Sequence, residues 1–430
     1  MSFEVNGLAI LCLALILARV LTQLWLERLN CRNVLVHAKA LPEAFKGIMD
    51  EAAYAKSVRY TLAGGRLLQI EGVWDAAVLS AALFSGLLPW GLDEFRRTLG
   101  GSAWSMAAFL FGTGLVLSLS GLPLDWYDQF RLEERFGFNT TTQKVWWLDR
   151  AKGLVLALAL GYPLLWLMIK LVEWTGPGWW VWAWGALLGF QMLVAVLAPV
   201  LILPLFNKFT PLPEGSLRER LLGLAERTRF QAGSIQVMDG SKRSRHSNAF
   251  FTGFGSFRKI VLFDTLIAQL AEPELEAVLA HEIGHFKKKH IPKSLAAGAL
   301  GSLAGFYLVS LLARQEWFYR AFGFEPGNIV PALLLFGLLS GVATFWVAPL
   351  AHWWSRHHEY QADAYAARVM REPGPLIRAL RKLSEKNLSN LTPHPLYSAF
   401  YYSHPTLLER ERALEPRGGK SENQSPKSEV

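Results

Sequence analysis

Cysteine is almost missing. Cys12 and Cys31 are the only two in 430 residues, too few for a disulfide framework or a cysteine-based metal site. Charge is scarce, at 18% of the chain. No internal repeat is visible. The spans also lack the pattern of glycine and proline breaks with buried charges that marks a transporter, and Arg19 is the one charge taken as buried in a span. A transporter or channel with an incidental metal site is therefore only the alternative reading. No basic stretch precedes the first apolar run, only Glu4, so that run reads as a retained span rather than a cleaved signal.

Apolar sequence is abundant: 52% hydrophobic residues, 17 Trp and 26 Phe, with a mean hydropathy of +0.22. Seven stretches are long and apolar enough to span a bilayer, at about 5–26, 73–92, 101–122, 153–172, 179–204, 294–313 and 329–350. The expected fold class is a predominantly α-helical polytopic membrane protein of about seven transmembrane helices, with a small cytoplasmic α+β region. The net charge of +9 could suggest nucleic acid, but its distribution has another cause. Of the 44 Lys and Arg, all except Arg19, Arg96, Arg97, Lys170, Arg314 and Arg320 fall in the segments after spans one, three, five and seven. That asymmetry is the positive-inside rule; it places the N-terminus outside and the C-terminus in the cytoplasm, and removes nucleic acid as a partner. Arg19 suits a protein- or cavity-facing position, or snorkelling to the surface, equally well.

The segment from 272 to 290 reads EPELEAVLAHEIGHFKKKH and contains His281-Glu282-Ile283-Gly284-His285. On a helix, histidines four apart project from one face and can share one ion. Pro273 suits a first turn, Glu272, Glu274 and Glu276 its positive end, and Leu275, Val278 and Leu279 recur at core spacing. Glu282 lies beside the first histidine, where it can hold a water as general base. Zinc with three protein ligands and one open position is the matching catalytic arrangement.

Three regions follow in order along the chain: 1–205 with five spans, 206–415 as a metallopeptidase region with two more, and 416–430 as a disordered tail. Gly64-Gly65 reads as a break, and Asp93 and Glu94 as part of a short outer loop. Leu recurs at helical spacing over 216–229, and 234–238 and 258–263 read as strands. Between these strands, Asn248, Ala249 and Phe250 begin another strand that ends in a turn at Gly253 and Gly255. As an edge beside the metal helix, this strand could pair with an extended peptide substrate; an ordinary three-stranded sheet without a ligand role fits the pattern equally. Past the seventh span, Glu359 and Asp363 lie four apart on one helical face. Glu359 can supply a third ligand, and Asp363 can accept the free N–H of a ligating histidine. His352, His357 and His358 compete as ligands, but two histidines and a carboxylate with a second acid at i+4 form the more coherent set.

Taken together, the residues resemble the integral-membrane zinc metalloproteases of the CAAX prenyl endopeptidase type. The matching pieces are His281-Glu-Ile-Gly-His285, Glu359-Tyr-Gln-Ala-Asp363, Asn248-Ala-Phe-Phe-Thr-Gly-Phe-Gly255, Glu133-Glu-Arg-Phe-Gly-Phe-Asn139 and Ser403-His-Pro-Thr406. The resemblance implies one Zn2+ per chain at the cytoplasmic end of a large water-filled chamber. It also implies that His404 and Arg410 stabilise the transition state; by itself, His404 reads as a capping or core histidine. The partners implied are a peptide or protein substrate and the lipid bilayer. The compact loops look like those of a bacterial inner-membrane protein, in which cleavage of membrane-associated or misfolded proteins is at least as well suited as cleavage of prenylated CAAX proteins.

Overall fold

A computed structural model describes residues 7–230, 234–252 and 259–415. The expected turn at Gly253 and Gly255 and the expected tail at 416–430 lie outside the described residues. The chain is overwhelmingly helical. Helices Gly7–His37, Glu51–Phe84, His290–Leu312 and Ile329–Met370 are each long and apolar enough to cross a bilayer. So is the run Gln143–Phe206, and a sixth candidate is the pair Ala103–Leu119 and Leu122–Phe136, bent by 43°. The Gln143–Phe206 run is interrupted at Gly176–Gly178. Helices Tyr162–Thr175 and Trp179–Leu197 pack against each other on either side of that turn, so the run makes two passes.

Two local expectations are corrected. Gly64 and Gly65 do not break the second helix, which continues from Glu51 to Phe84. Gly65 is instead the point where the first helix comes close: a side chain there would overlap the Glu27 carboxylate. Asp93 and Glu94 lie in an amphipathic helix, Leu87–Leu99, that buries Leu88 and Leu92. The second span ends at Ser85-Gly86, where left-handed Gly86 turns the chain into that helix.

A small α+β unit is built from the segments between and after the later spans. Four strands, β1 (Phe209–Pro211), β2 (Ser234–Met238), β3 (Ala249–Thr252) and β4 (Lys259–Phe263), form a sheet in the order β1-β2-β4-β3. The β2–β4 pair is parallel and the other two are antiparallel, so β3 is an edge. Leu221, Leu224, Ile260, Leu262, Leu275, Leu279 and Ile283 pack as one core between this sheet and its helices.

The Glu133–Asn139 segment docks onto this unit. Left-handed Gly137 (φ 83°) ends its helical turn, letting the Phe138 N–H return to the Glu133 carbonyl at 2.8 Å. Phe138 then stacks on His246 with ring centroids 4.1 Å apart. Arg243 grips Asp149 through two hydrogen bonds of 2.7 and 3.1 Å. The α+β unit is thereby tied to the loop between the third and fourth passes.

Candidate metal centre and active site

Three helices converge on one point. Helix Glu272–Lys287 starts with Pro273 in its first turn, and the Glu274 carboxylate accepts from the Ala271 N–H at 2.8 Å. It is pinned sideways by Arg220 and Arg227 on the buried Glu276 (2.8 and 2.5 Å) and by Lys382 on Glu274 (2.7 Å). The second helix, Ile329–Met370, is the last span; its 42 residues continue unbroken out of the apolar region. Its projecting end carries Glu359 and Asp363. The third, Leu407–Leu414, is capped by Thr406, whose hydroxyl accepts from the Glu409 N–H while the Glu409 carboxylate accepts from the Thr406 N–H.

The first two helices touch through backbone. A Cβ on Gly284 would lie 3.0 Å from Ala362 Cα and 3.1 Å from Ala362 O. This closeness brings Glu359 up to the histidines: Glu359 Oε1 is 3.2 Å from His285 Nε2, and Glu359 Oε2 is 3.5 Å from His281 Nε2. The two Nε2 atoms are 3.1 Å apart. Ligand atoms of all three residues lie within 4.8 Å of one another.

This arrangement fits a cation. Glu359 Oε2 is buried without a hydrogen-bond donor, a costly state for a carboxylate oxygen. Two imidazole nitrogens that face each other at 3.1 Å cannot both satisfy themselves with a proton. One metal ion answers all three atoms, and two histidine nitrogens with a glutamate oxygen are a set suited to zinc with an open position. The outer nitrogen of His281, Nδ1, lies 2.8 Å from Asp363 Oδ1. Arg410 in turn holds Asp363 through two charge-assisted bonds of 2.8 and 2.6 Å, with its Nη1 3.8 Å from Glu359. Burial disfavours charge on His281, but the Asp363 and Glu359 carboxylates outweigh it and raise its pKa to about 9. Burial also pushes the Glu282 pKa above the ordinary carboxylate value, opposed by the neighbouring histidines.

Glu282 and His404 line the same cavity, of about 620 Å³, with Asn248 and Ala249 on another wall. His404 sits at the mouth, its side chain 65% exposed and its Nε2 3.5 Å from Glu359 Oε1. The surrounding protein lowers its pKa. Phe250 follows on β3 with its ring against Phe263. A second cavity, of about 340 Å³, shares Asn387, Ser389 and Tyr402 with the first and is also lined by Glu27, Asn30 and Glu71. Of the rival histidines, His352 hydrogen-bonds the Phe400 carbonyl at 2.6 Å, and His358 stacks on His290. Sequence reasoning passed over His290, which lies 3.0 Å from His285, and His246, which joins Glu133 and Asn387 at 3.1 Å each. The histidine identities were visible; their partners lie across turns and between distant segments.

Comparison with known proteins shows the family. Residues 30–208 match the family model for the CAAX prenyl protease N-terminal region with five membrane helices, and 211–417 match peptidase family M48. The chain is similar to CAAX prenyl protease 1 of Saccharomyces cerevisiae, with 38% identity over 89% of this chain and 90% of that protein. It is 30% identical to the human CAAX prenyl protease 1 homolog, covering 87% and 88% of the two chains. The crystal structure of S. mikatae Ste24p superposes with a TM-score of 0.87 at 34% identity, over 95% of this chain and 99% of that one. A helical membrane body, a glutamate brought to an H-E-x-x-H pair, and similarity along nearly the whole length lead to one assignment: the chain belongs to peptidase family M48, as a membrane zinc metalloendopeptidase of the CAAX prenyl protease type.

Proposed function

We propose that the chain holds one zinc ion through His281, His285 and Glu359 and cleaves peptide bonds of membrane-associated proteins, CAAX-type proteins among them, on the cytoplasmic side of its membrane. The observation that carries this reading is the convergence of those three side chains beside Glu282, in a cavity walled by an edge strand. A bound zinc ion would supply Lewis-acid polarisation of the scissile carbonyl and of a water. Glu282 takes the proton of the attacking water and returns it to the leaving amine. Its raised pKa suits a group that must both accept and give a proton. His404, at the cavity mouth, donates to the oxygen on which negative charge develops. Arg410 is committed to Asp363; it holds the carboxylate that orients His281 and adds positive charge nearby.

The substrate lies along β3. The Asn248 carbonyl accepts from the Phe263 N–H of β4, so backbone alternation turns the Ala249 N–H and C=O outward. The Ala249 N–H is occupied by the Asn248 side-chain oxygen at 2.8 Å, a local bond that an added peptide strand can replace. The positive-inside distribution supports a cytoplasmic site.

Glu282→Gln tests the mechanism. It keeps the shape but cannot accept the proton, so zinc content should stay near one per chain while peptide cleavage falls by several orders of magnitude. Near-normal cleavage by that variant would refute the assignment of the base. Peptides that end in a CAAX sequence with its cysteine prenylated, compared with unprenylated copies, would divide CAAX processing from broader proteolysis.

A further inference from the structure

The two histidines of the centre are supported differently. His281 turns its outer nitrogen to a carboxylate, Asp363. His285 directs Nε2 toward Glu359 and His281, and its outer nitrogen, Nδ1, lies 3.0 Å from Nδ1 of His290. His290 is 3% exposed, and its Nε2 lies 3.0 Å from Gln361 Oε1. We propose that His290 is a positioning residue for the metal centre: it accepts the Nδ1–H of His285, fixes the tautomer that leaves Nε2 free for a metal, and is itself set by Gln361. This inference rests on the assignment of His285 as a ligand.

The tautomer follows by elimination. A neutral imidazole carries one proton, and only a nitrogen without it can bind a metal. If Nε2 of His285 is the ligand, its proton sits on Nδ1 and needs an acceptor. The nearest is His290 Nδ1, which accepts only if the His290 proton is on Nε2. An amide oxygen, Gln361 Oε1, stands where that proton must go. The opposite chain of protons would place hydrogen on His285 Nε2 and close the site.

The backbone serves the same end. Lys289 adopts a left-handed conformation (φ 57°), uncommon for a residue with a Cβ. That turn reverses the chain after the motif helix and folds His290 back onto His285. The relay ends on the helix that bears Glu359. That one helix therefore provides a ligand at 359, the support for His281 at 363, and the support for His285, through His290, from 361.

His290 also stacks on His358, with centroids 4.0 Å apart and planes at 8°, so a purely structural role must be separated. His290→Phe keeps an aromatic ring for the stack but removes both nitrogens. His290→Asn loses the ring but places an oxygen acceptor near the former Nδ1. Zinc affinity would be read by competition with a chelator of known affinity, and folding by thermal melting of the zinc-free protein in detergent. His290→Phe should bind zinc about 10- to 100-fold more weakly, with zinc-free melting close to wild type. His290→Asn should recover most of that affinity. Gln361→Leu should weaken binding in the same direction by a smaller factor. Wild-type zinc affinity in His290→Phe, or equal losses in the Phe and Asn variants, would overturn the proposal. His285→Ala separates the two readings: if it loses zinc while His290→Phe retains it, only the positioning role fails, whereas retention of zinc by His285→Ala overturns both.

Discussion

Gly284 offers a sharp test of how the fold makes the centre. The motif helix and the last span meet at this glycine; a Cβ there would stand 3.0 Å from Ala362 Cα, 3.1 Å from Ala362 O and 3.2 Å from Tyr365 Cβ. Two of these atoms are backbone and cannot rotate away. Carbon atoms prefer separations of about 3.5–4.0 Å, so Gly284→Ala must part the helices by roughly 0.5–1 Å. Helix propensity favours the change by about 0.8–1.0 kcal/mol, while overpacking costs about 1–3 kcal/mol. The fold should therefore lose no more than about 2 kcal/mol. The metal site is less forgiving, because ligand distances tolerate only about 0.2 Å, and His281 and His285 ride on one helix while Glu359 rides on the other. The expected result is a drop in zinc affinity of at least about tenfold, equivalent to 1.4 kcal/mol, with a zinc-free melting temperature only a few degrees lower. Gly64→Ala is the control, since nothing lies within 4 Å of a Cβ there; it should leave zinc unchanged and melting unchanged or higher. If Gly284→Ala bound zinc as tightly as wild type and melted higher, close backbone approach would not be what sets the ligand geometry.

Ala249→Pro removes an outward N–H from an edge strand, a position where proline spares the ladder; cleavage should weaken at unchanged zinc content, whereas Ala249→Ser should do little. Loss of zinc and cleavage together would instead make β3 a structural strand only. The Glu133 hydrogen bond raises the His246 pKa against the effect of burial, helped by Asn387 and the nearby Asp128 charge. That stability is fully present below the unfolded histidine value near 6.5 and is lost as pH rises through the higher folded value. His246→Gln should therefore lower the melting temperature more at pH 6 than at pH 8.5, and an equal shift at both would remove the ion pair from the account.

Membrane character was legible because the bilayer imposes a length and a composition on every span, and uninterrupted apolar runs such as 329–350 are hard to build by accident. Their ends were less legible. The last span was placed at about 329–350 and the stretch bearing Glu359 and Asp363 was read as helical; the two form one helix to Met370, a continuity that helical periodicity does not reveal across the change from apolar to polar sequence. Gly64-Gly65 misled for a related reason: glycine signals a break by conformational freedom but also permits contact, and only the Glu27 carboxylate lying against Gly65 distinguishes the two. Short outer connections are equally silent about the host. Relatives from yeast and human match nearly the whole chain, so compact loops do not mark a bacterial lineage.

At the centre, local periodicity carried the reasoning as far as one helix can reach. Spacing placed His281 and His285 on one face and Glu359 and Asp363 on another, because four residues make about one turn. It could not show that Asp363 supports His281 while another histidine lies behind His285. Those pairings cross 82 residues in one case and a left-handed lysine turn in the other. Arg410 illustrates the same limit. The family resemblance implied transition-state stabilisation for it, but a resemblance does not say which carboxylate will claim its charge. Two bonds to Asp363 and a side chain only 11% exposed tie the guanidinium to the carboxylate beside His281, while Arg410 also lines the cavity shared by Glu282 and His404. Removing it would leave a buried carboxylate uncompensated, which is costly in itself. Loss of activity on Arg410→Ala therefore carries little information about the reaction unless zinc content is measured in the same preparation.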